Sequence, residues 1–444
     1  MISKILTFIQ YLIAVTLLIL AVSVRIPYLL EIREYLFFVI LIISSSCSAF
    51  LVYRLFSPLK NKVHVKSLLV ISLLAIAFSS FIEVKFRIQK YQTLNAPNEV
   101  LKTLSQHIIV GYNAIEDLEK LILKDAIAGV FITKRNVKGK SYDEVKREIA
   151  HMQALRLSRN MPKLLITTDQ EGGIVSRLSP PLSKLPALSS LSKFSKEEQR
   201  KKAMKYGLNQ GRELSELGIN VNFSPVLDIK YSDEINPLDF HSLISKRAIS
   251  DDKSVVANIA ISYALGLEAE KVIPTAKHFP GMGRVKDDTH HFSATLNMKK
   301  ELLEKTDWMP FKQMIQNSQA FIMLGHVILS DIDEENPVSS SKAVIKQIIR
   351  DKWKHNGVLI TDDLTMKSYG GKRGACQSSI LSLNASVDFL LISYDFDKYY
   401  EIMHCLLKAY SNGALKHDAL KRSKLRIERV TQKVLGKLPL IKNN

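Results

Sequence analysis

The chain has 444 residues with 62 Lys and Arg against 43 Asp and Glu, a formal charge of +19. Chains of this length bury a sizeable core, which excludes a disulfide-stapled mini-domain. The basic residues are scattered and accompany no nucleic-acid-binding motif, which argues against a nucleic-acid partner; an anchored domain beside anionic lipid accounts for the excess better.

Reading from the N-terminus, the first 92 residues hold three apolar runs, near 5–24, 35–53 and 67–82. Each is uncharged, and the third is short for the roughly 20 residues that a spanning helix needs, so Lys66 and Lys85 are expected to extend its reach by snorkelling. Ala21-Val22-Ser23 resembles a signal-peptide cleavage site, but the first apolar core is longer than a signal peptide uses, and two more runs follow it. The segment is therefore expected to be a multi-pass membrane anchor, with membrane lipid as a partner. The loop between the second and third runs carries Arg54, Lys60, Lys62 and Lys66 and no acid. The positive-inside rule places that loop in the cytoplasm and, with three spans, the rest of the chain outside. Lys85, Arg87 and Lys90 weigh the other way, and the orientation reverses if only two runs span.

Residues 95–444 read as one soluble domain. Eight short runs rich in β-branched residues are predicted as strands: Ile108–Tyr112, Ala128–Thr133, Leu164–Asp169, Asn220–Pro225, Ile273–Phe279, Ala320–His326, Val358–Asp363 and Phe389–Ser393. Helix-length amphipathic stretches separate them. Lys201–Leu217 stops at Gly218; Val255–Ala269, Glu301–Ile315 and Leu415–Leu435 follow the same spacing. Eight strands alternating with helices predict an α/β fold, a (β/α)8 TIM-like barrel, with a doubly wound sheet as the alternative. The cysteines are Cys47, inside an apolar run, and Cys376 and Cys405, one possible pair in the soluble part.

Asp169, Lys277, His278, His326 and Asp362 all fall at the C-terminal ends of strand runs, which converge on one face of a barrel. Lys277 to Gly283 (KHFPGMG) is a strand followed by a Pro/Gly loop. That loop delivers Asp288 and His290, a carboxylate beside an imidazole, a pair suited to proton transfer near neutral pH. His278, Asp288, His290 and His291 lack an established ligand spacing, so no metal and no other cofactor is expected. Asp362 and Asp363 follow a buried strand, and only one of them can aim at the barrel axis. Asp169, with Arg177 shortly after it, could pair to hold hydroxyl groups or could form a structural salt bridge.

These stretches resemble bacterial β-N-acetylglucosaminidases of glycoside hydrolase family 3. The likeness runs from about Leu101 to Leu435 and includes GVFITKRNV from Gly129, TDQEGG from Thr168, NFSPVLD from Asn222 and TDDLTM from Thr361. It implies Asp362 as nucleophile, His290 as acid/base and Asp288 as its partner. It further implies that Asp169, Arg177, Arg247, Lys277 and His278 bind the sugar of a GlcNAc-containing oligosaccharide or muropeptide. The implied reaction is retaining hydrolysis through a glycosyl-enzyme, releasing terminal β-linked GlcNAc. The alternatives are a phosphorylase and a non-catalytic muropeptide sensor. The chain leaves little room after the eighth strand for the extra domain that supplies the acid in the family's glucosidases, which points to the histidine-loop branch. Ala248 and Met282 depart from the family pattern, and the first glycine of its barrel-closing motif is replaced near Ser386.

Overall fold

The computed structural model describes residues 2–57, 62–231, 242–285, 294–370 and 373–435. It divides into two compact units, Met1–Asn95 and Ala96–Asn444.

The first unit consists of helices α1 (Ile2–Ser23), α2 (Arg33–Phe56) and α3 (Val63–Leu94), each long and apolar enough to cross a membrane. The third is the surprise. Its apolar run is short, yet the helix continues through Glu83, Lys85, Arg87 and Lys90 for 32 residues, about 48 Å at 1.5 Å per residue. The charged extension keeps helical spacing, and Glu83 pairs with both Arg25 and Arg87. Small residues line the buried sides of α2 and α3: Ser44 and Ser48 on one, Ser72, Ala75 and Ser79 on the other. Such residues let helix backbones approach closely. Large apolar side chains such as Phe8, Leu12, Ile42 and Phe81 are exposed instead. That distribution inverts the one expected in water.

In the second unit, all eight predicted strands form, shorter than their apolar runs except the fifth. They are β1 (Ile108–Gly111), β2 (Gly129–Ile132), β3 (Leu165–Thr168), β4 (Val221–Asn222), β5 (Ile273–Phe279), β6 (Phe321–Leu324), β7 (Leu359–Asp363) and β8 (Phe389–Ile392). They pair in parallel and in sequence order, and β1 closes on β8. This is the (β/α)8 barrel and not the doubly wound sheet. Its interior is filled by large side chains, with Phe131 stacked on Phe223 and Phe321 tilted on Phe389. Val430 and Val434, from the closing helix His417–Leu435, join the same cluster.

The helix Lys196–Leu217 ends at Gly218, whose φ of 101° is the left-handed turn that glycine adopts without steric cost. The predicted helix Glu301–Ile315 is broken into Lys300–Lys305 and Trp308–Asn317. Pro310 explains the break. It has no N–H for the carbonyl of Thr306, and its ring would clash there in a continuous helix. Ser386 takes a φ of 83°, the conformation that the missing family glycine would adopt freely. Ser386→Gly is therefore expected to raise stability by about 1 kcal/mol, read as a higher thermal midpoint. A lower midpoint would mean that the serine contributes more than its backbone costs.

Candidate active site

The loops at the C-terminal ends of the barrel strands carry the polar residues. Thr168 ends β3, and Asp169 follows it into a short hairpin, Gln170–Gly172 with Val175–Ser176. Ladder irregularities occur at two of the neighbouring strand ends. The pairing of β5 with β6 shifts between Ala276 and Phe279, and that of β7 with β8 shifts between Ile360 and Asp363. Successive side chains on a regular strand point to opposite faces, and a bulge re-aims them. The two irregularities therefore sit at Lys277-His278 and at Thr361-Asp362.

Both Lys277 and His278 thereby enter one ionic network. Lys277, almost fully buried, donates to Asp169 Oδ1 at 2.6 Å and pairs with Glu171 Oε1 at 2.7 Å. Arg247 grips both oxygens of Glu171, at 2.6 and 3.1 Å, and its Nη2 lies 3.4 Å from His278 Nε2. The other ring nitrogen of His278 is 2.7 Å from Asp228 Oδ2, and Asp228 also accepts the Met282 N–H at 2.7 Å. Burial alone would raise the Glu171 carboxyl, but Arg247 and Lys277 outweigh it and hold it at about 2. Burial likewise opposes the charge on Arg247, and Glu171 more than compensates, raising its pKa above the usual guanidinium value. Glu171 and Arg247 are thus charged and prepaired at neutral pH. The network offers alternating donors and acceptors, which suits a polyhydroxylated ligand.

Asp169 pairs with Lys277 and not with Arg177. Arg177 is exposed, its backbone N–H donates to the Asp169 carbonyl at 3.1 Å, and its side chain forms no ion pair among the described residues. Glu171 and Asp228 had no role in the sequence reading, although both stand in the quoted motifs. A lone acid in a loop reads as solvated; only the fold shows that these two are buried against basic groups.

The two aspartates after β7 have different surroundings. Asp363 accepts from the Thr365 N–H at 3.0 Å, the Thr365 hydroxyl at 2.6 Å, the Ser393 N–H at 3.0 Å and the Ser393 hydroxyl at 2.6 Å. Its carboxylate stitches the end of β7 to that of β8. His326 braces the same corner, reaching Ser339 Oγ at 2.8 Å and the Asp363 carbonyl at 3.0 Å. His326 is thus a buried support of this corner. Asp362, half-buried, accepts the Asp363 N–H at 2.8 Å. Asp288 and His290 lie outside the described residues.

Residues 94–430 match the family model described as "Glycosyl hydrolase family 3 N terminal domain". A β-hexosaminidase of Neisseria gonorrhoeae is 30% identical over 288 residues, 64% of this chain and 76% of that protein. One from Glaesserella parasuis is 30% identical over 299 residues, 66% of this chain and 82% of its own. Among solved structures, a family 3 β-N-acetylglucosaminidase from Paenibacillus sp. superposes with a TM-score of 0.69 at 27% identity, covering 78% of this chain and 65% of that one. The chain therefore belongs to glycosyl hydrolase family 3, in its β-hexosaminidase branch of glycosidases.

Proposed function

We propose that the chain is a membrane-anchored β-N-acetylglucosaminidase that removes terminal β-linked GlcNAc from peptidoglycan fragments or chito-oligosaccharides with retention of configuration. The carrying observation is the pairing pattern at one end of the barrel. The carboxylate of Asp363 is committed to four donors, while its neighbour Asp362 stands at the same end as the Asp169–Lys277–Glu171–Arg247–His278 network. In this reading Asp169, Arg177, Arg247, Lys277 and His278 hold the sugar. The Asp362 carboxylate attacks the anomeric carbon while His290 gives its proton to the departing oxygen. His290 then takes a proton from water, which cleaves the glycosyl ester and restores Asp362. Asp288 keeps the imidazole basic enough for both steps.

The same reading places the catalytic domain on the outer side of the membrane. Cys376 and Cys405 form a disulfide between the helices Gly374–Asn384 and Lys398–Ser411, with Cα atoms 5.7 Å apart. Disulfides persist in oxidising compartments and are rare in the cytosol. The basic loop after α2 points to the same orientation.

The test is release of p-nitrophenol from p-nitrophenyl β-GlcNAc by the full-length chain in detergent, with and without phosphate. Hydrolysis indifferent to phosphate supports the proposal. Acceleration with formation of GlcNAc-1-phosphate would make it a phosphorylase, and GlcNAc binding without turnover would make it a sensor. Protease added to intact spheroplasts should digest the barrel; protection until lysis would reverse the topology.

A further inference from the structure

The loop after β5 precedes Asp288 and His290 in the sequence, and its first residues are fixed by contacts that the sugar-binding network does not need. Gly281 has a φ of 102°, and a side chain there would meet Asp307 Cβ at 2.9 Å. At Gly283 a Cβ would lie 1.7 Å from the Ile229 carbonyl oxygen and 3.2 Å from the Tyr231 ring. Val285 N–H closes a turn on the Met282 carbonyl at 3.0 Å. Between them, Arg284 lays its guanidinium 3.6 Å from the Tyr231 ring centroid and donates from Nε to Asp307 Oδ2 at 3.1 Å.

Asp307 ties these pieces together. It occupies the N-cap position of the helix Trp308–Asn317 yet makes no side-chain cap to that helix. Its Oδ2 accepts instead from Arg284, from the Tyr231 hydroxyl at 3.2 Å and from the Thr306 hydroxyl at 2.8 Å. The side chain is fully buried, and Oδ1 has no hydrogen-bond partner among the described residues. The helix that follows it begins in an aromatic cluster. Trp308 packs against Phe279 at the end of β5 with ring centroids 5.5 Å apart, and Phe311 and Trp353 close the same aromatic cluster. A carboxylate that neither caps its helix nor touches the sugar network, but gathers donors from two active-site loops, calls for a separate explanation.

We infer that Asp307, through Arg284 and Tyr231, is a positioning residue for the acid/base step: it fixes the root of the loop that carries Asp288 and His290 and locks it to the segment Ile229–Tyr231. The inference rests on the proposed role of His290. It predicts a selective defect. Proton transfer depends steeply on placement, whereas sugar binding and attack by Asp362 use groups outside this cluster.

The test compares kcat/KM for two substrates, using the full-length chain in detergent. Cleavage of N,N′-diacetylchitobiose needs a proton on its leaving group; 2,4-dinitrophenyl β-GlcNAc does not. Asp307→Asn and Arg284→Ala are expected to lower kcat/KM for the disaccharide by about 10- to 100-fold and for the dinitrophenyl glycoside by less than about threefold. GlcNAc affinity should hold in both. Arg284→Ala keeps the test open if the buried Asp307 variant does not fold. Equal losses on both substrates would overturn the inference and make the cluster merely structural. His290→Ala separates the two readings. If it discriminates between the substrates and the cluster variants do not, only the inference fails; if it does not discriminate, the acid/base assignment falls and takes the inference with it.

Discussion

Asp362→Ala is expected to lower kcat on p-nitrophenyl β-GlcNAc by about 10⁴-fold or more. The size follows from the role. Without a carboxylate there is no glycosyl ester, and removal of a nucleophile typically leaves only what binding and electrostatics supply. Asp363→Ala should act first on stability. It strips four hydrogen bonds from a charged acceptor that joins β7 to β8, and should cost roughly 2–4 kcal/mol of stability. Its activity loss would come through displacement of the strand end. If Asp363→Ala left stability intact and abolished turnover while Asp362→Ala did not, the assignment of nucleophile within the pair would have to be exchanged.

That contrast also marks where the sequence is legible and where it is not. The strands are readable because barrel strands are buried on both faces, so β5 and its neighbours appear as short apolar runs between turn residues. The placement of polar groups at their C-terminal ends is readable for the same reason, since a charge that ends an apolar run stands out. What is hidden is direction. From spacing alone Lys277 and His278 should face opposite ways; a ladder irregularity brings both into one network. Partners brought together by the fold are hidden too: Glu171 meets Arg247 across 76 residues, and Asp228 meets His278 across 50. The break at Thr306-Asp307 was readable in principle, since Pro310 stands in the middle of the predicted helix. Apolar periodicity continues through it and masks the interruption. The length of α3 was missed for a different reason: hydropathy finds where an apolar run ends, and a helix continues past that point when the next turns suit it.

The second large effect is expected at the opposite end of the barrel, away from the candidate site. Asp388, fully buried just before β8, accepts from Arg350 at 2.7 Å, the Leu359 N–H at 2.7 Å, the Ser423 hydroxyl at 2.7 Å and Arg426 Nε at 2.8 Å. His107, one residue before β1, meets the Asp388 carbonyl at 2.9 Å, and Arg350 runs on to the carbonyls of His355 and Gly357 ahead of β7. One residue, through its carboxylate and its carbonyl, thus joins β7, β8, the approach to β1 and the closing helix, at the seam where the barrel closes. Burial would raise its carboxyl, but Arg350 and Arg426 hold it below the ordinary aspartate range. Asp388→Ala leaves two buried guanidinium groups without their counter-charge, and should cost about 3–5 kcal/mol. The pH dependence has two parts. Burial pushes His107 down to about 4 and His355 down to about 3, from 6.5 in the unfolded chain. A histidine kept neutral in the fold takes up its proton on unfolding, so this stability is full above pH 6.5 and is lost as pH falls toward those values. By pH 5 the loss is about 2 kcal/mol from each. Asp388 acts lower: its contribution is intact above the unfolded value of 3.8 and disappears as pH drops through its depressed folded value. Thermal midpoints of the wild type at pH 7 and pH 5 test the histidine part, and Asp388→Ala at pH 7 tests the carboxylate. A wild-type midpoint that does not fall by pH 5 would show that these histidines are already protonated or solvated in the fold. An Asp388→Ala midpoint equal to wild type would mean that water, not Asp388, balances the two arginines.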